Sequence, residues 1–160
     1  MPQSEIEPEV AKLGEFLSTL NEESDRGAAL ASAAMLDETL KDILRSFLAD
    51  VPARDDLLEG FNAPLGTFSA RCSAAYALGL IEEGEFREIT LVRKIRNEFG
   101  HSWSGTSFEK GRVADLTASL PWLGPKEQET EATGRSRFGF AVTILLGDLM
   151  WPRAACLRRA

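Results

Sequence analysis

Histidine occurs once in this sequence, at His101, and cysteine only at Cys72 and Cys156. Zinc sites draw on clustered cysteines and histidines, and here neither cysteine has a partner at CxxC spacing, so no metal or other cofactor is expected. Both cysteines read as buried thiols of a reducing compartment, not as a disulfide. Long apolar runs are also missing. The longest, Phe138 to Trp151, is about fourteen residues and is interrupted by Asp148, whereas a bilayer requires roughly 20. The acidic start, MPQSEIEPEV, has no apolar stretch of the secretory kind, which makes the cytoplasm the expected location and leaves no role for a membrane. Period-two alternation of useful length is absent, which excludes an extensive sheet, and no repeat of 20 to 50 residues recurs.

Positive charge is in deficit as well, with 18 Lys and Arg against 25 Asp and Glu and a formal net charge of −7. The average field repels phosphate backbones, and no helix with a basic reading face stands out, so direct operator binding is disfavoured. Local basic clusters exist at Arg93, Lys94 and Arg96, and at Arg153, Arg158 and Arg159. With 160 residues, 44% hydrophobic and 27% charged, the chain can bury one sizeable core and reads as one domain over 1–160.

What the chain does have is helical periodicity. Val10, Leu13, Leu17 and Leu20 recur at helical spacing. Ser24 or Asn21 can cap the next segment, whose stripe is Leu36, Leu40, Ile43, Leu44 and Phe47. The first half of that segment is rich in alanine and glycine, which permits close approach of a neighbouring helix. Residues 51–66, with two prolines and two glycines, read as a loop. Thr67 can cap a third helix carrying Phe68, Cys72, Ala75 and Tyr76 on one face. Residues 82–99 form another, with Phe86, Ile89, Val92, Ile95 and Phe99 inward. A short helix stopped by Pro121 follows, then an aperiodic polar stretch over 124–134. A core helix over about 137–151 precedes a stop at Pro152. The sum is an all-α protein, an irregular bundle of five to seven helices.

The chemistry-bearing stretch is RKIRNEFGHSW, residues 93–103. Five residues of ideal helix turn about 500°, leaving Arg96 and His101 about 140° apart and about 7.5 Å apart along the axis. Gly100 is a natural point for the helix to end in the left-handed conformation, which would swing His101 back towards Arg96. Such a pair suits phosphodiester cleavage: histidine exchanges a proton near neutral pH, a guanidinium holds the phosphate, and Asn97 orients either. The structural alternative is a helix end, in which Arg96 pairs with a carboxylate such as Glu98, Asp25 or Glu38 and His101 meets the helix dipole. Asp25 and Arg26 either line the same cleft or form a charge pair at a helix N-terminus. With Arg93 they are the candidate binding residues. Trp103 and Trp122 read as partner anchors or as core.

Residues 21–123, carrying ESDRGAALASAAMLDETLKDIL, APLGTFSARCSAAYALGLI and LVRKIRNEFGHS, resemble the mannitol operon repressor family of bacteria. The resemblance implies a compact all-α protein, named for repression of a sugar-alcohol operon, without a recognisable helix-turn-helix. With no reading helix and an acidic charge, the expectation is a transcription-regulatory or interaction module that acts through a protein partner, and a homodimer is expected. Separately, Arg96-Asn97, three residues and His101 are similar to the motif of the HEPN superfamily. That likeness implies a metal-independent ribonuclease with RNA as substrate, in which His101 is the acid/base, Arg96 the phosphate clamp and Asn97 the orienting group at a dimer cleft.

Overall fold

Local capping chemistry decides where the helices begin. Ser24 accepts from the Gly27 N–H, Thr67 from Ala70 and Thr133 from Ser136, while Glu82 and Glu85 cap each other's backbone reciprocally. A computed structural model describes residues 7–151. In chain order they form α1 (Pro8–Glu22), α2 (Asp25–Phe47), α3 (Pro52–Leu58), α4 (Phe68–Ala77), α5 (Glu83–His101), α6 (Gly111–Ala118) and α7 (Gly134–Met150), with a 3₁₀ turn at Lys126–Glu131. Among the described residues there is no strand, and the architecture is an all-α bundle. None of these helices is long and apolar enough to cross a membrane, and no described group of acidic, histidine or cysteine side chains could hold a metal.

Helix α2 is the axle of the bundle, touching α1, α3, α4, α5 and α7. Its alanine-rich half buries Ala28, Ala29, Ser32 and Ala33, and its second half buries Leu36, Leu40, Ile43 and Leu44. Small side chains at the first half let the end of α5 come close. A run of rings joins the remaining layers: Phe99 of α5 lies 5.3 Å from Phe108, which lies 4.6 Å from Phe138 of α7. Cys72 is buried as the sequence suggested, and burial pushes its thiol up to about 11. Cys156, Pro152, Arg153, Arg158 and Arg159 lie outside the described residues.

Three expectations need correction. The stretch 51–66 is not all loop, because Pro52 opens α3, where a missing N–H costs nothing at a first helical position. Leu58 then enters the core, and Arg45 and Lys41 of α2 pair with Asp55 and Glu59 across the surface. Phe47 is exposed at the end of α2 although it continues the apolar stripe. The polar stretch after α6 contains the 3₁₀ turn.

Arg71 holds α4 and the α3–α4 connection to α2. Its side chain is almost entirely buried, with Nε donating to the Leu65 carbonyl (2.8 Å), Nη2 to the Leu58 carbonyl (2.8 Å) and Nη1 to Asp37 (2.9 Å). A guanidinium presents donors in a planar fork, so one side chain fixes two turns of backbone and one carboxylate together.

On α5, burial raises the Glu88 carboxyl above its ordinary value of 4.5, and the nearby charges of Glu85 and Asp148 raise it further. A carboxyl raised in the folded state disfavours folding when charged. The cost is fully present above the raised value and vanishes as pH falls through it to the unfolded value. Glu88→Gln should therefore raise the melting temperature at pH 7, with the gain shrinking towards zero near pH 4. Melting curves of both proteins between pH 4 and 8 check this, and an equal gain at every pH contradicts it.

Candidate functional site

The stretch Arg93–His101 occupies the last two and a half turns of α5, and the helix runs unbroken through Gly100. Gly100 does not adopt a positive φ, and the left-handed glycine of this region is Gly105, with φ of 79°, in the following loop. The turn expected at Gly100 is therefore displaced. The physical reason is Arg26 of α2, whose Nη1 donates to the Phe99 carbonyl at 2.7 Å and whose Nη2 donates to the Ser102 carbonyl. A cation bridging the last carbonyls satisfies the helix end and suits the negative end of its dipole, which removes the need for a glycine cap.

With the helix intact, Arg96 and His101 keep the roughly 140° separation of ideal geometry. One chain does not bring them into a common cleft. Arg96 is exposed and donates from Nη1 to Asn97 Oδ1 at 3.1 Å. The carboxylates expected for it are engaged elsewhere: Glu98 with Arg112, Asp25 with Arg135 and Glu38 with Lys12. His101 is exposed and has no hydrogen-bond partner among the described residues.

Asp25 and Arg26 do lie beside the end of α5, but their polar atoms serve the fold. Asp25 accepts from the Phe108 N–H at 3.2 Å and from Arg135 at 3.3 Å, and Arg135 donates onward to the carbonyls of Leu20 and Glu23 at 2.8 and 2.9 Å. The α1–α2 corner, the end of α5 and the start of α7 are thereby tied into one junction. Arg93 differs from both. It is half-buried on the α4 side of α5, where its charge acts on the Cys72 thiol, and its Nε is buried with no hydrogen-bond partner among the described residues.

Two tryptophans separate cleanly. Trp122 packs on Phe140 and donates to the Pro125 carbonyl, whereas Trp103, two residues beyond His101, is 93% exposed. Sequence reasoning missed Arg71 and Arg135 as structural clamps; only their positions opposite carbonyls from distant segments mark them. It also missed a groove of about 280 Å³ between α4 and α5, lined by Tyr76, Phe86, Thr90, Leu91 and Lys94 among others. Tyr76 and Phe86 stack there at 4.5 Å. Helical spacing marks Phe86 and Leu91 as apolar positions but does not say which neighbour leaves them uncovered.

A Cβ at Gly100 would meet nothing within 4 Å. Gly100→Ala should thus stabilise the protein by about 0.5–1 kcal/mol, by reducing the freedom of the unfolded chain. Chemical denaturation measures this. A loss of stability would show that the helix end needs glycine after all.

No family model matches the chain, and no curated protein matches it. Among solved structures, the X-ray structure of the MtlR–HPr complex from Escherichia coli contains a similar chain, with 22% sequence identity and a TM-score of 0.69 over 88% of this chain and 99% of that one. The fold is MtlR-like.

Proposed function

We propose that this chain is a cytoplasmic, MtlR-type regulatory interaction module that works by binding a protein partner of the HPr kind and does not read DNA itself. The observation that carries the reading is the likeness in fold to a chain solved in the MtlR–HPr complex. The sequence resemblance to the mannitol operon repressor family agrees with it. Net charge of −7 opposes a phosphate-backbone interface. A homodimer is part of the proposal.

The ribonuclease reading of Arg96, Asn97 and His101 is disfavoured by the unbroken α5, since one chain directs the arginine and the histidine to different sides of the helix. Titration calorimetry with HPr from the same organism tests the main reading, with saturable binding at a Kd of about 1 µM or tighter expected. Heat changes no larger than dilution up to about 1 mM HPr would overturn it. In parallel, promoter fragments at physiological salt should show no specific Kd in the roughly 10⁻⁸–10⁻¹¹ M range of dedicated repressors. Single-stranded RNA should survive incubation in EDTA.

A further inference from the structure

Helix α7 lacks charge on its outer side as well as on the side that faces the core. Phe138, Ala141, Val142, Leu145, Leu146 and Leu149 are buried. The outward residues between them are Gly139, Phe140, Thr143, Ile144 and Gly147, and no charged residue occurs between Arg137 and Asp148. A helix that is uncharged and mostly apolar all round is normally covered all round. Here Ile144 is 43% exposed, and Gly139, Thr143 and Gly147 are only partly buried. Beside this face runs a groove of about 550 Å³ between α1 and α7, with Leu17, Leu20 and Asn21 on one wall and Ser136, Gly139, Phe140 and Thr143 on the other. Arg135, the charged residue among those that line it, is engaged with Asp25 and the carbonyls of Leu20 and Glu23. Residues four apart form rows along a helix. Gly139, Thr143 and Gly147 make a shallow row, and a Cβ at either glycine would meet nothing within 4 Å. Phe140 and Ile144 make a raised row directly next to it.

We infer that this face of α7 is the contact between two copies of the chain, packed about a two-fold axis near Thr143 so that the Phe140–Ile144 ridge of each lies in the Gly139–Thr143–Gly147 row of the other. The inference rests on the homodimer proposed above and gives it a place on the molecule. Shape selects the occupant. A ridge and a matching groove side by side on one helix are complementary to themselves, and a two-fold axis engages both of them twice, which is the arrangement in which rows four apart interdigitate. Charge agrees with shape. In a two-fold contact a residue near the axis meets its own copy, so any charge there would meet its like; the rows around Thr143 carry none, on a chain whose net charge is −7. A phosphate backbone or an anionic lipid surface would find no free cation on this face.

Sedimentation equilibrium of the full chain tests this, with twice the mass of one chain expected at roughly 50 µM and a melting temperature that rises with protein concentration. Ile144→Asp brings two like charges together near the axis. Gly139→Gln fills the groove with a residue that also favours the helix. Each should weaken association at least about tenfold while the circular dichroism spectrum stays that of the wild type; where Ile144→Asp does not fold, Gly139→Gln decides alone. Phe61→Asp, the same kind of change at a residue 97% exposed on the α3–α4 connection, should leave the dimer intact. A dimer that survives both α7 changes overturns this face and leaves the homodimer standing. A wild type that stays monomeric up to about 1 mM overturns the face and the homodimer together, and leaves the HPr reading to its own titration. A monomer whose HPr binding is lost in both α7 variants also overturns the inference, because the occupant is then the protein partner.

Discussion

Arg71→Ala is expected to destabilise the protein by roughly 3–5 kcal/mol, lowering the melting temperature by about 10–15 °C for a chain of this size. The loss has three parts: the carbonyls of Leu58 and Leu65 are left without a donor, Asp37 loses its ion pair, and the volume beneath the α3–α4 connection empties. Desolvation makes the first part the largest, because Arg71 as a residue is only 8% exposed and water reaches the freed acceptors poorly. Arg71→Lys separates geometry from charge. An ammonium keeps the attraction to Asp37 but cannot span three acceptors, so it should recover less than half of the loss. Thermal melts of the two variants measure both effects; a loss below about 1 kcal/mol for Arg71→Ala would show that the connection is not held from α4.

The second large effect is at Phe99, where Phe99→Ala should cost about 3–5 kcal/mol while His101→Ala, two residues away, stays within about 0.5 kcal/mol of wild type. Phe99 is fully buried and forms an edge contact with Phe108, so its removal opens a cavity at the junction of α5, the following loop and α7. His101 is exposed and has no described hydrogen bond to lose. Denaturant titration of both variants discriminates the roles sharply. A loss at His101 comparable with that at Phe99 would make the histidine part of the packing and remove it from any candidate site.

Helix by helix, the sequence was informative where periodicity and caps agree. Ser24 and Thr67 each begin a helix by accepting a backbone N–H three residues on, and such local chemistry can be read from residue order alone. The last helix begins earlier than its apolar run indicates, at Gly134 with Thr133 as its cap, inside the stretch that reads as aperiodic. Ile89, Val92, Ile95 and Phe99 are buried on α5 because a period of 3.6 places them on one face, and no tertiary information is needed to group them. Helix α3 was hidden, since a seven-residue segment gives too few periods to stand out against two prolines and two glycines nearby.

The site was less legible than the fold. By itself the sequence determined an all-α chain, the inward face of α5 and that of α2 as far as Leu44, the burial of Cys72 and the helical position of Arg96, because each follows from interactions between residues close in sequence. Only the tertiary structure decided how α5 ends, since the cation that caps it, Arg26, is more than seventy residues away. It also decided that Asp25 and Arg26 serve the fold and that Glu98 and Glu38 pair away from Arg96. The same holds for Arg93, whose Nε is buried without a hydrogen-bond partner among the described residues. Charge and hydrogen-bond partners at such separations depend on which helices meet. A one-dimensional pattern specifies the face that must be buried but not the polar atoms that will be opposite it.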